Sequence, residues 1–107
     1  MSDIQFATLI KDRDGADIID DGAPLTLARA CIAALDAILQ ADQGEGLKPK
    51  LHRGRLIDEI SRAAKAYSLL QLEAEDIKVI KDRIALVAWP ASIVRSVCLL
   101  LDPATKE

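Results

Sequence analysis

Apolar residues recur every three to four positions in four stretches of the chain, and this spacing predicts four amphipathic helices. The predicted helices span residues 26–41, 53–68, 73–88 and 90–102. Thr26 is a natural N-cap, and Pro90 suits the first turn of the last helix because the missing amide of proline is not needed there. Gly44–Gly46 is expected to end the first helix, and Pro49 to keep the following loop open.

The first 22 residues follow a different pattern. Ile4–Ile10 is rich in strand formers, and the turn signal Asp14–Gly15 separates it from a second short stretch, Ala16–Ile19. This predicts a β-hairpin that closes at Asp20–Gly22 and that must pack on the helices or on a second chain, because a lone hairpin is marginally stable. The predicted fold class is therefore mainly α, a small bundle of about four amphipathic helices with a short N-terminal β-hairpin.

Length and composition narrow the class of protein. The 107 residues suit one domain spanning 1–107, and with 50% hydrophobic but only 3% aromatic residues its core must be built from aliphatic side chains. The formal net charge of −3 argues against general nucleic-acid binding. Since the N-terminus lacks a basic start and no window reaches the ~18 apolar residues of a membrane span, we expect a cytoplasmic protein without membrane association.

Metal and cofactor sites have little support in the sequence. Cys31 and Cys98 fall in apolar helical stretches, which predicts reduced, buried thiols, and with one histidine they match no zinc-ligand spacing. The acidic run Asp12–Asp17 does not match a calcium loop, which would need glycine at its sixth position and a bidentate acid at its twelfth. We expect no metal, no cofactor and no catalytic residue.

His52 is the only histidine, so any Cys–His pair would have to use it. It is predicted to lie in a basic loop, residues 47–55, without a carboxylate to fix it, and a surface histidine is the favoured interpretation. The loop carries four cations, Lys48, Lys50, Arg53 and Arg55. A solvated loop is the commoner explanation for such a run, but contact with an acidic partner stays open.

The last predicted helix is apolar around most of its circumference and follows Trp89. Such a helix is either central in the domain or buried against a second copy. Tryptophan at a helix corner most often packs into the core, but it is also enriched at the energetic centres of interfaces. The predicted interface residues are Trp89, Ile93, Val94, Val97, Leu100 and Leu101.

The order of these features resembles small uncharacterised proteins encoded by tailed phages and prophages. The likeness rests on the N-terminal strand and turn, on Pro24–Leu27 before the first helix, on the helix Glu75–Ile84, and on the closing helix Pro90–Asp102. It covers most of the chain. The resemblance implies an accessory or assembly role and supplies no catalytic residue.

Three functions follow as hypotheses. The leading one is a non-enzymatic protein-interaction or assembly accessory protein, forming a homodimer through the closing helix and the Trp89 region. The second is a nucleic-acid-associated regulatory accessory factor that uses the four cations of residues 47–55. The third is an enzyme that uses His52 with Cys31 or Cys98.

Overall fold

In the computed structural model, which describes residues 2–12 and 14–104 apart from the side chains of Ser2 and Ala41, the chain forms four helices and four short strands. The helices are α1 (Leu27–Asp36), α2 (Leu47–Lys65), α3 (Ala74–Leu86) and α4 (Ala91–Leu101), with a 3-10 turn at Gln40–Asp42. The strands are β1 (Ser2–Ile4), β2 (Ile19–Asp20), β3 (Ala23–Pro24) and β4 (Leu70–Leu72). The predicted class is confirmed: the fold is mainly α with a small antiparallel hairpin near the N-terminus. Met1, Arg13 and residues 105–107 of the predicted domain lie outside the described residues.

The hydrophobic core is centred on α1, which packs against α2, α3 and α4. Its fully buried side chains are almost all aliphatic, as the composition predicted, and the one phenylalanine is among them. Each of the larger ones contributes roughly 1.5–3 kcal/mol to folding. The buried side chains include Phe6, Ile10, Leu25, Leu27, Leu35, Leu56, Ile60, Ile80, Ile84 and Val97.

Residues 70–72, between α2 and α3, form part of a sheet rather than a plain connection between helices. β4 pairs antiparallel with β1, with Ser2 opposite Leu72 and Ile4 opposite Leu70. The pairing joins the N-terminus to the middle of the chain and buries Ile4 and Leu72. Strands of three residues carry too little alternation to be recognised from sequence, and their partner is distant along the chain.

The hairpin forms later in the chain than predicted. β2 pairs with β3 around Asp21 and Gly22, whose φ angles of 54° and 80° are those of the two-residue turn that matches strand twist. The predicted turn near Asp14 is present as a smaller feature, in which the carboxylate of Asp12 accepts hydrogen bonds from the amides of Asp14 and Ala16. The predicted strand Ile4–Ile10 was therefore wrong in extent. β1 ends at Ile4, and farther along the predicted strand Leu9 forms an isolated antiparallel bridge with Thr26.

Helix α1 is shorter than predicted. The Thr26 cap is present, with its hydroxyl accepting from the Arg29 amide at 3.1 Å, but α1 ends at Asp36 because the backbone at Ala37 is extended. Ile38 is an apolar residue of the predicted helix 26–41, and its side chain is fully exposed. The helix is terminated by tertiary contacts from α3, described below.

Helix α2 begins six residues earlier than predicted, at Leu47, so residues 47–55 are helical and not a loop. Pro49 lies in the first turn, where its missing amide has no intrahelical partner to lose. The helix ends at Lys65 because the Ser68 amide donates to the Ala63 carbonyl, which leaves Tyr67 at a positive φ of 51°.

Helices α3 and α4 lie close to their predicted limits. Glu73 and Pro90 are the N-caps of these helices, with extended backbones, and are not in their first turns. Glu75 and Asp76 lie in the first turn of α3, where exposed amides favour negative charge.

The inward face of α4 can be tested with two adjacent leucines. Leu101 is fully buried, so Leu101→Ala should lower the free energy of unfolding by roughly 2–5 kcal/mol. Leu100 is 40% exposed, and Leu100→Ala should cost about 1 kcal/mol or less. Urea denaturation of both variants measures the difference. Equal losses would mean that α4 does not present this face to the core.

Candidate functional site

An apolar groove of about 590 Å³ runs between the end of α3 and the outer side of α4. Its lining residues are Ala85, Trp89, Ala91, Val94, Arg95, Cys98 and Leu99. Arg95 is the only charged residue among these described lining residues. We call this surface the α3–α4 groove. Its chemistry suits an apolar ligand with few polar contacts.

Trp89 forms one wall of the α3–α4 groove from the short linker between the two helices. Its backbone amide donates to the Val87 carbonyl at 2.8 Å, which fixes the turn of the linker. The side chain is half-buried, and the indole Nε1 is buried without a hydrogen-bond acceptor among the described residues. An unsatisfied buried donor of this kind costs roughly 1–3 kcal/mol.

The six predicted interface residues separate into two groups. Ile93, Val97 and Leu101 are buried in the core of this chain, so their side chains do not lie on its surface. Trp89 and Val94 line the α3–α4 groove, and Leu100 is exposed. An apolar circumference shows that a helix is extensively covered, but it does not show which side faces inward.

Sequence reasoning missed five residues of the groove. They are Ala85, Ala91, Arg95, Cys98 and Leu99. The apolar positions on the far side of α4 signalled an extra surface, but the contribution of Ala85 from α3 depends on the angle between two helices. No local pattern encodes that angle.

Both cysteines are thiols, as predicted, but they differ in exposure. Cys31 is fully buried in α1, and its pKa is raised chiefly by burial and further by the charge of Cys98. Cys98 is half-buried in the groove, and burial also raises its pKa, against an opposing effect of Lys81. Because the thiolate is the reactive form, neither cysteine is an activated nucleophile.

His52 is fixed by a carboxylate, contrary to the sequence-based expectation. It lies on α2, and its Nε2 is 2.7 Å from Oδ1 of Asp76 at the start of α3. Arg55 approaches the same carboxylate oxygen at 3.6 Å. This arrangement can hold the imidazole in one orientation and tautomer.

The His52–Asp76 pair lies beside a small cavity of about 250 Å³ that His52 lines. The carboxylates of Asp42, Glu45 and Asp82 also border this cavity. No serine, threonine or cysteine is among its lining residues in the described chain, and Cys98 lines a different groove. The geometry therefore offers an oriented histidine without a side-chain nucleophile beside it.

The basic segment is partly neutralised within the chain. Arg53 makes a bidentate salt bridge with Glu45, in which Nη1 donates to Oε2 at 2.9 Å and Nη2 donates to Oε1 at 2.6 Å. Arg55 lies near Asp76. Lys48 and Lys50 are exposed on α2. Two of the four predicted cations thus already face carboxylates, which weakens the case for contacts to nucleic-acid phosphates.

A buried guanidinium organises the chain between α1 and α2. Arg83 of α3 is only 6% exposed. Its Nε donates to the Ala34 carbonyl at 3.1 Å, Nη2 donates to the Ala37 carbonyl at 2.6 Å, and Nη1 donates to Asp42. Arg83 therefore satisfies carbonyls at the end of α1 and holds the 3-10 turn against α3. We call this set of contacts the Arg83 clamp.

Two carboxyl groups in this region have lowered pKa values. The hydrogen bond from Arg83 holds the pKa of Asp42 below its ordinary value. The hydrogen bond from Arg53 does the same for the pKa of Glu45. Both carboxyl groups thus favour the ionised form in the folded chain.

Neither a metal-binding group nor a similar protein assigns a function to this site. Among the described residues, no group of three His, Cys, Asp or Glu side chains is placed to hold a metal ion. None of the helices in the described residues combines the length and apolarity needed to cross a bilayer. No protein family, curated protein or solved structure matches the chain.

Acid should reduce the stability that the Arg83–Asp42 and Arg53–Glu45 pairs give to the folded chain. Because both pKa values are lowered on folding, the ionised carboxylates contribute stability above their unfolded pKa, and this contribution is lost as pH falls through the folded values. The Asp42→Asn/Glu45→Gln protein should therefore lose less stability than the wild type between about pH 5 and pH 2. Urea midpoints across this range measure it, and parallel curves for the two proteins would contradict it.

Removing the guanidinium should be costly. Arg83→Met leaves two carbonyls at the end of α1 without their donors, and we expect the free energy of unfolding to fall by about 3 kcal/mol or more. Lys78→Met serves as the control, because Lys78 makes an exposed i,i+4 pair with Asp82 and should change stability little. Equal urea midpoints for the two variants would refute the role given to Arg83.

Proposed function

We propose that this chain is a non-enzymatic protein-interaction protein whose α3–α4 groove binds an apolar segment of a partner protein. The observation that carries the proposal is the groove itself, an apolar concavity of about 590 Å³ with Trp89 in its wall. Concave apolar surfaces with a few polar groups are the usual form of binding sites. An accessory or assembly role, as the likeness to phage proteins implies, is of this kind.

The groove also suggests what the partner segment carries. Val94 and Leu99 offer apolar contact along α4, which suits apolar side chains on the bound segment. The buried Nε1 of Trp89 needs an acceptor, which a backbone carbonyl of the segment can supply after a small rotation of the ring. Tryptophan and arginine are the residues that most often dominate binding energies.

The two rival functions have less support. A nucleic-acid role rests on four cations, of which Arg53 and Arg55 already lie near carboxylates. An enzymatic role would use His52, whose cavity brings it no side-chain nucleophile within the described residues.

Selection from a displayed library of random peptides, followed by titration of the purified protein, tests the proposal. Selected peptides should be apolar, and their binding should shift or quench the emission of Trp89, the single tryptophan of the chain. Leu99→Glu places a charge in the groove and should weaken binding at least roughly tenfold.

Leu51→Glu is the matched control, since Leu51 is an exposed leucine on α2, outside the groove. It should bind the same peptides as the wild type does. Peptides that bind without changing the Trp89 emission, or that bind Leu99→Glu as tightly as the wild type, would refute the proposal.

A further inference from the structure

Helix α2 presents a second surface, which lies away from the α3–α4 groove. Residues three, four and seven positions from Gly54 share its side of the helix. They are Leu47, Lys50, Leu51, Ile57, Asp58 and Ser61. Each of these side chains is exposed or half-buried, and of them Ile57 also packs partly against the core. The fully buried residues of α2, Leu56, Ile60 and Ala63, lie on the opposite side. We call this surface the Gly54 face.

The Gly54 face exposes large apolar side chains. Leu47 is 72% exposed and Leu51 is 62% exposed. On one side of Gly54 a groove of about 520 Å³ is bordered by the fully exposed Ile38, and on the other a groove of about 560 Å³ is bordered by Leu51. Exposed large apolar side chains beside two grooves are typical of an interaction site.

Glycine at position 54 is not required by the packing of the chain itself. It lies inside a helix, where glycine is unfavourable, and nothing is within 4 Å of the position that a Cβ atom would occupy. What glycine provides at this place is close approach of another backbone. The residue therefore suits the crossing point of a second helix.

The charges on this face are complementary to themselves. If a second copy of α2 crosses antiparallel with a two-fold axis at Gly54, residues equally far before and after it face each other. Lys50, four residues before, then meets Asp58 of the partner subunit, four residues after. The symmetry makes this pair twice.

The apolar residues match in the same register. Leu51, three residues before Gly54, meets Ile57 of the partner subunit, and Leu47 lies over the small Ser61 of the partner subunit. Leu51 thus faces another large apolar side chain and Leu47 faces a small one. No like charges face each other in this register. The matching positions run over roughly four helical turns.

We propose that the chain forms a two-fold symmetric dimer in which α2 packs antiparallel against α2 of a second copy, with Gly54 at the crossing. The mixed signs on the face favour this occupant over an acidic peptide. An acidic peptide would be attracted by Lys50 but repelled by Asp58, whereas a second copy pairs both. This dimer uses a surface other than the α3–α4 groove and therefore goes beyond the function proposed above.

Sedimentation equilibrium of the full chain, from low micromolar to about 0.5 mM, tests the dimer. The wild type should dimerise in this range. Lys50→Glu and Asp58→Lys should each weaken dimerisation at least roughly tenfold, because each places like charges opposite each other twice. The double variant Lys50→Glu/Asp58→Lys restores opposite charges and should dimerise within about threefold of the wild type.

Gly54→Leu provides a second, independent variant. Leucine is a better helix former and has open space in the monomer, so circular dichroism and the unfolding midpoint should show an intact fold. Its side chain should nevertheless hold the two helices apart and weaken dimerisation at least roughly tenfold.

A wild type that stays monomeric at about 0.5 mM overturns the proposal. So does a dimer that Gly54→Leu leaves unchanged, or charge reversals that the double variant does not rescue. Leu99→Glu should dimerise as the wild type does, because its substitution lies in the α3–α4 groove. Failure of the dimer can thus be told apart from failure of the groove to bind peptides.

Discussion

The buried guanidinium of Arg83 fixes how the first two helices are connected. Its three donors reach carbonyls at the end of α1 and a carboxylate of the 3-10 turn, so one side chain of α3 ends one helix and sets the path to the next. The planar fork of arginine suits this task, because it can serve several acceptors in fixed directions. A buried charge of this kind is tolerated only when its hydrogen bonds are satisfied, and the described contacts provide acceptors on several sides.

The surfaces of the protein follow from this connection. Because α1 ends at Asp36, Ile38 lies outside the helix with its side chain exposed. Helix α2 then begins at Leu47, six residues before its predicted start. The first turns of α2 have no fully buried residue, and they carry the exposed leucines beside Gly54. Helix α4 uses one side for the core and leaves another for the α3–α4 groove. A domain this small has little interior to spare, and it is consistent with both proposals that apolar residues beyond those needed for the core lie on outward faces.

Local patterns predicted the helices but not the contacts between distant residues. The stripes through Leu56 and Ile60 in α2 and through Ile80 and Ile84 in α3 were readable from their spacing, and the Thr26 cap followed from its hydroxyl. The pairing of β1 with β4 was not readable, because three-residue strands have no distinctive alternation.

The candidate site was predicted only in part. Trp89 and Val94 were named and line the groove, but the inward side of an apolar α4 could not be chosen without knowing its neighbours. Arg83 resembled any surface arginine of an amphipathic helix, and its burial depends on acceptors 41 to 49 residues away.

Hydrogen–deuterium exchange of the Arg83→Lys protein tests the clamp most directly, since lysine keeps the charge but loses the fork. Amides of residues 37–46 and of the first turns of α2 should exchange faster than in the wild type, while those of α4 stay unchanged. Unchanged exchange in these segments, or an equal increase along the whole chain, would contradict the role of Arg83.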